Sequence, residues 1–381
     1  MGRMNAGAPS TCSLVLHATD HATETGDGEE PRQANRRYRD PRIALEERRL
    51  QPLHPGSLRL QMLRVGLCGT DLHMTQRDRH GFVRSSAPAS IPTHGRVLGH
   101  EGIGRVIATG SGVSRFRVGD IVAPESVLSC GACRCCRSGA FNQCLDARLL
   151  GMEKDGLFAA IADVPARSAV AIGRLAESER GLQMAACLEP AGVALLACRK
   201  TQIAPGDRVL VFGAGPIGLL VAMMARRLHG ASQVSVVEPS AYRREFAAAW
   251  ADQVAASAEA LEIPDGGWDV VVEASGVLAN VDAVFRRIAP GGRVALLGRG
   301  GQALRIGAVD HMITNAISVM GLRGHLGGVY ERLIDLCLSG VLPLDRIVST
   351  TIEGLERLRS VLEHPDDIAG GDCKIVVKLA D

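Results

Sequence analysis

A short apolar strand that runs straight into a glycine-spaced turn and then a helix limits what this chain can fold into. Arg208-Val-Leu-Val-Phe212 leads into Gly213-Ala-Gly215-Pro216-Ile217-Gly218, a G-x-G-x-x-G pattern, and an apolar run follows to Ala225. Alone, such a hexapeptide is weak evidence. Its context is specific: a buried strand before, a helix after, and an acid, Glu238, closing the next strand at 233–237. Gly213 permits the tight turn. Gly215 lets backbone approach a pyrophosphate seated on the helix N-terminus, and Gly218 lets helix and strand pack closely. A carboxylate at Glu238 bonds ribose hydroxyls and repels a 2′-phosphate, which favours NAD. Arg243 and Arg244 lie just beyond and leave NADP open.

The pattern belongs to a longer rhythm. Strands are expected at 208–212, 233–237, 268–273 and 292–297, separated by helices at 218–228, 242–251 and 280–288. Such β-α-β alternation implies a doubly wound parallel sheet. A helix at 191–200 leads into it. The first half reads differently, β-rich and punctuated by Gly and Pro, with an alternating strand at 57–65 and another at 102–108. A short first strand is expected at 13–17, followed by a polar exposed loop over 18–42. A helix at 330–338 and a strand at 373–379 end the chain, and that strand is free to pair back with the β-rich half.

The β-rich half carries a cysteine ladder. Cys130, Cys133, Cys136 and Cys144 stand at C-x2-C-x2-C-x7-C, with Cys135 outside the spacing. Four thiolates gathered by one short loop make a closed tetrahedral zinc site, which holds structure and does no chemistry. The last gap and the missing proline distinguish it from a bacterial ferredoxin run. Eleven cysteines, an odd number, also fit poorly with a disulfide framework.

Composition narrows the class. At 381 residues and 46% hydrophobic content, two domains with ample core are expected. A net charge of +2 and only 3% aromatic residues exclude a basic nucleic-acid surface with stacking platforms. The most apolar stretch, 209–225, is broken by three glycines and a proline, so no membrane span is expected. The first twenty residues hold no uninterrupted apolar run, so no secretory leader is expected either. Many unpaired thiols suit a reducing cytoplasm.

Three further segments carry metal-ligating types: Cys68 in Gly66-Leu-Cys-Gly-Thr-Asp-Leu-His73, His100 and Glu101 in Leu98-Gly-His-Glu-Gly102, and Glu189 in Cys187-Leu-Glu-Pro-Ala191. None is decisive alone, since a lone buried Cys is usually core and a lone His is usually structural. In this order, with the cysteine ladder and the glycine motif, they resemble the zinc-containing medium-chain dehydrogenase/reductase family. The likeness runs from Ile43 onward and is greatest to its sorbitol, glucose and threonine dehydrogenase branch. The Glu-Pro pair at 189–190 points there, because simpler alcohol dehydrogenases usually have Cys at that place.

The resemblance implies an α/β fold. A β-rich GroES-like catalytic domain (1–190) would be joined by a Rossmann cofactor domain (191–321), with a return to the catalytic domain at 322–381. It implies two zinc ions per chain. Cys68 and His100 would ligate the catalytic one, with Glu101 a ligand or near-ligand and Glu189 completing the sphere directly or through water. The four ladder cysteines would hold the structural one. Thr70 and His73 would pass the substrate proton to solvent by way of the cofactor ribose, and Asp71 would orient a zinc ligand. The expected reaction moves a hydride between NAD(P) and a secondary alcohol of a polyol, sugar or (amino)cyclitol, in a homodimer or homotetramer. A non-catalytic dinucleotide-binding sensor of the same fold is the alternative. Two features depart from the family's pattern: the long 18–42 segment, and a polar stretch with Arg77, Asp78, Arg79, His80 and Arg84 that could wall the substrate. Arg323 is a further candidate for substrate or phosphate contact.

Overall fold

The computed structural model describes residues 9–21, 37–365 and 372–381. Its first feature corrects the expected 18–42 loop. Ser10–Asp20 and Tyr38–Arg49 form a long antiparallel hairpin, with Leu14 opposite Leu45 and Asp20 opposite Tyr38. Tyr38 and Ile43 are buried while Asp40 and Arg42 face out, so the charges that read as a loop occupy one face of a strand. Residues 22–36 lie outside the described ones.

The main sheet of the first half has seven strands. Along its path run Ala169–Ala171, Ile121–Pro124, Glu101–Thr109, Ser57–Leu67, Lys374–Lys378 and Val348–Glu353; Ile161–Pro165 also pairs with Ser57–Leu67. The last strand of the chain lies antiparallel to Ser57–Leu67, with Ile375 opposite Leu67, so the end of the chain does return to the first half. That register carries Lys374 to the end of Ser57–Leu67, beside Cys68.

The second sheet has six strands, all parallel, in the order Gln253–Ala255, Gln233–Val237, Arg208–Phe212, Trp268–Glu273, Ile288–Leu296 and Ser318–Gly321. Val209, Leu210, Val211 and Phe212 are buried, as are Val270, Val271 and Val272. Parallel strands covered on both faces require such unbroken apolar runs. The strand order reverses beside Arg208–Phe212, the place where an open α/β sheet binds its ligand.

Several boundaries differ from the sequence reading. The helix expected at 280–288 ends at Val284, and after one 3₁₀ turn the chain is already a strand at Ile288. The helix expected at 242–251 is Ala241–Ala247, started by Ser240, whose hydroxyl accepts from Arg243 N–H. Helix Glu179–Ala186 meets Leu188–Lys200 at a bend of 54°, which sets Glu189 in a first helical turn. Among the described residues no single helix is long and apolar enough to cross a membrane.

Candidate active site

Cys68 is the residue at which strand Ser57–Leu67 becomes helix Gly69–Thr75. His100 and Glu101 begin the neighbouring strand, and the register sets Glu101 opposite Gly66. A side chain at Gly66 would collide with the Glu101 carboxylate, its Cβ lying 2.4 Å from Oε2. The chain thereby brings Cys68, His100 and Glu101 together, with one donor atom of each within 4.8 Å of the others.

Asp71 ties these segments. Fully buried in the first turn of the helix, it accepts through Oδ2 from Cys68 N–H at 3.2 Å and through Oδ1 from Gly99 N–H at 3.3 Å. Its Oδ1 also stands 3.5 Å from His100 Nδ1, which is buried and finds no hydrogen-bond partner among the described residues. Burial pulls the His100 imidazole down, but the charges of Asp71 and Cys68 outweigh it and hold His100 well above the ordinary histidine range. A half-buried thiol with a buried imidazole and carboxylate, and an unsatisfied ring nitrogen, are a donor set that suits a zinc ion.

Glu189 is close but outside that group. Its Oε1 accepts from Ser126 Oγ at 2.7 Å. Glu101 faces another partner, Lys374, whose ammonium pairs with the Glu101 carboxylate and donates to Leu67 O at 3.0 Å. Burial raises the Glu101 carboxyl, Lys374 opposes that rise, and the negative charge of Glu189 adds to it. Neither Lys374 nor Ser126 stood out in the sequence. A lysine opening the apolar run Lys374-Ile-Val-Val377 was the available signal for the first; nothing distinguished the second.

Thr70 and His73 stand three residues apart on helix Gly69–Thr75, hence neighbours on one side, while Asp71 and Met74 are its buried residues. Burial and then the Arg84 charge lower the His73 pKa. The other polar residues of that stretch serve one another. Asp78 Oδ1 accepts from the N–H groups of His80 and Phe82, Arg84 bonds Gln76, and Arg77 lies 3.6 Å from Asp40. Arg77 and Arg84 border a cavity of about 930 Å³ with Arg42, Thr75 and Glu363, whose lining does not include Cys68, His100 or Glu101.

The ladder cysteines also converge. Sulfur separations are 4.0 Å for Cys130–Cys136, 3.6 Å for Cys133–Cys136 and 3.9 Å for Cys133–Cys144. A tetrahedron with metal–sulfur bonds of about 2.3 Å has edges of about 3.8 Å. Backbone N–H groups of Cys130, Ala132, Cys133 and Asp146 point at these sulfurs. The N–H groups of Cys136 and Leu145 bring the Cys133 thiol down to about 6, while burial pushes Cys136 up to about 11. Cys135 is outside the group. The lobe is pinned to a distant segment, because Asn142 Nδ2 donates to Arg323 O at 2.8 Å.

At the glycine motif, Gly213 has φ +91°, and a Cβ on Gly218 would lie 1.8 Å from Gly213 O. Around Gly215 a Cβ would meet nothing within 4 Å, so the N-terminus of helix Pro216–Arg227 opens onto free space. Pro216 occupies the first turn, where its missing N–H costs nothing, with Ile217 following. Glu238 is buried; it accepts from Ala214 N–H at 2.8 Å and from Ser240 N–H at 2.9 Å. Arg243 Nε donates to Asp372 O at 3.0 Å, and Arg244 Nη1 donates to Glu238 O at 2.9 Å. The side chain of Arg323 lies near Arg299, whose pKa is lowered by burial and then by the Arg323 charge.

Two family profiles match in order: the alcohol dehydrogenase GroES-like domain over residues 54–174 and the zinc-binding dehydrogenase over 216–339. The L-threonine 3-dehydrogenase of Thermococcus kodakarensis is 33% identical over 318 residues, covering 81% of this chain and 87% of its own. The scyllo-inosose 3-dehydrogenase of Thermotoga maritima is 31% identical, covering 78% and 80%. The solved alcohol dehydrogenase of Thermus sp. ATN1 superposes with a TM-score of 0.73 at 25% identity, over 97% of this chain and 100% of that one. Matched in both halves, and along most of its length, this chain belongs to the zinc-containing medium-chain dehydrogenase/reductase family, in its sorbitol- and threonine-dehydrogenase-like branch.

Proposed function

We propose that this protein oxidises a secondary alcohol of a polyol, sugar or cyclitol with NAD, holding a catalytic zinc at Cys68, His100 and Glu101, with Glu189 completing the sphere through water, and a structural zinc at Cys130, Cys133, Cys136 and Cys144. The observation that carries the reading is the convergence of Cys68, His100 and Glu101 from separate segments into one largely buried donor group. The relatives named for L-threonine and scyllo-inosose oxidation support a hydroxyl on a polar, multiply substituted carbon.

Zinc, when bound, supplies a Lewis acid that makes a substrate hydroxyl far easier to deprotonate. The chain's own residues do the rest. Asp71 fixes Cys68 and the His100 loop through its three contacts. Thr70 Oγ1 and a ring nitrogen of His73 carry the proton outward, and a His73 held neutral by its surroundings is ready to accept it. The N–H groups after Gly215 receive the pyrophosphate. Gly213, Pro216, Ile217 and Gly218 shape that turn, Glu238 meets the ribose and favours NAD, and Arg243 borders the adenosine end.

The division 1–190, 191–321 and 322–381 is supported by the return of strands Val348–Glu353 and Lys374–Lys378 to the first sheet. An assembly of two or four chains is supported by the edge strand Ser318–Gly321 beside exposed Val309 and Ile313. Free thiols at all eleven cysteines agree with a cytoplasmic setting.

The test is an assay of the purified protein with NAD and NADP against polyols, sugars, cyclitols and L-threonine, with zinc counted per chain. Cys68→Ser is expected to lose one of two zinc ions and activity by about a thousandfold, about 4 kcal/mol at the barrier. A variant as active as the wild type would sink the reading.

A further inference from the structure

We propose that Ser126 is a positioning residue that keeps the catalytic metal site open by holding Glu189 to one side. The inference rests on the reading of the Cys68 group as the catalytic site. A zinc site works as a catalyst only while a position stays free for substrate; four protein ligands close it. This chain brings four candidate ligands into one neighbourhood, enough to close the site.

The two carboxylates are held differently. Glu101 is inside the group whose donor atoms lie within 4.8 Å of one another, and Glu189 is outside it. Among the described residues, the one hydrogen-bond partner of the Glu189 side chain is Ser126, whose Oγ donates to Oε1 at 2.7 Å. Ser126 is 0% exposed and Glu189 8%. A hydroxyl donating to a buried carboxylate makes a strong, charge-assisted bond, and turning Glu189 inward breaks it.

Ser126 is itself anchored through the backbone. Its carbonyl accepts from Leu150 N–H at 3.0 Å, and the preceding residue, Glu125, donates its N–H to Ser168 O at 2.6 Å. Glu125 Oε1 further accepts from Gly328 N–H at 3.3 Å. The hydroxyl is thus fixed from two sides of the fold. Glu189 has little freedom other than its own rotation, because it lies in the first turn of helix Leu188–Lys200, directly before Pro190. One hydrogen bond decides which way that carboxylate turns.

Removing the hydroxyl releases Glu189 toward the cation. The experiment uses cobalt-loaded full-length protein and reads its absorption spectrum during titration with azide, a small anion that needs the free position. Wild-type protein is expected to bind two cobalt ions and to respond to azide. Ser126→Ala is expected to weaken azide binding about ten- to a hundredfold, the worth of a hydrogen bond to a charged group. It should also slow cobalt loss to a chelator and lower kcat more than it changes KM. Ser126→Thr, which keeps the hydroxyl, should behave as wild type. Deleting the carboxylate as well, in Ser126→Ala/Glu189→Ala, should restore azide binding.

Unchanged azide affinity in Ser126→Ala, or no recovery in the double variant, overturns the proposal while the catalytic reading stands. A wild-type protein that binds one cobalt overturns both. If Ser126→Ala fails to fold, Ser126→Cys, a weak donor at the same place, carries the same expectation of weakened azide binding.

Discussion

Lys374 and Glu101 form an ion pair sealed from solvent, with 0% and 2% of their side chains exposed. The pair joins the last strand of the chain to the strand that carries the metal group. Its neighbours reach the other half of the molecule: Asp372 O accepts from Arg243, and Cys373 Sγ lies 3.9 Å from Ala214 O in the glycine motif. Three consecutive residues therefore touch the dinucleotide turn and the metal group at once.

Lys374→Met should be among the most destabilising single changes in the protein. In the metal-free protein it leaves the Glu101 carboxylate buried without its lysine counter-charge, a loss of about 3–5 kcal/mol. Adding Glu101→Gln removes the stranded charge and should recover part of that loss. Urea unfolding of both variants after zinc removal by a chelator checks this; equal stability of Lys374→Met and wild type would show that water or a rearranged partner replaces the lysine.

The contrast between the two sheets explains what the sequence disclosed. Strands Arg208–Phe212 and Trp268–Glu273 are buried on both faces, so they stand out as apolar runs. Gln253–Ala255 has three residues and Ser318–Gly321 lies at the sheet edge with no buried residue, so neither carries a readable period. Strand Tyr38–Arg49 reads as a loop because its outward charges outnumber its inward apolar residues. Within the site, residue types that ligate metal were visible as types in their motifs. Ser126 and Lys374 were not, because their roles come from register and packing between segments more than sixty residues apart.

Gly218 permits no side chain. A Cβ there would lie 1.8 Å from Gly213 O, a backbone atom of the turn that the cofactor must use. Gly218→Ala should force strand and helix apart, costing about 1–3 kcal/mol in stability. It should also weaken NAD binding at least tenfold. Gly215→Ala meets no neighbouring atom within 4 Å, so it should leave stability nearly unchanged while still obstructing the pyrophosphate. Calorimetric binding of NAD beside thermal melts separates the two effects; a Gly215→Ala protein with intact NAD affinity would move the pyrophosphate elsewhere.

The cysteine lobe should matter to stability before it matters to chemistry. Cys133 sits at about 6 and Cys136 at about 11, so near neutrality the four sulfurs cannot all be thiolates without a cation among them. Cys133→Ser should lose one zinc and lower Tm by about 10 °C or more. Because Asn142 of the same lobe holds Arg323 O, activity should fall as a consequence of the loosened lobe. Normal folding of Cys133→Ser with both metals retained would remove the structural role.

Arg84 should set the acid limit of turnover through His73. Burial lowers the His73 pKa, and the positive charge of Arg84 lowers it further. His73 therefore stays neutral, and able to accept a proton, to a pH below the ordinary value of about 6.5. Arg84→Gln removes the repulsion, so His73 protonates at higher pH and the acid limb of the kcat profile moves upward. Stability carries the same sign. With its folded pKa depressed, His73 contributes fully above its unfolded pKa, and that contribution is lost as pH falls through the unfolded and then the folded value. Arg84→Gln narrows that interval, so its stability should fall less between neutral and mildly acid pH than that of the wild type. A kcat profile whose acid limb stays in place, beside a wild-type-like fall in stability, would mean that Arg84 does not act on His73 and that another group sets the limit.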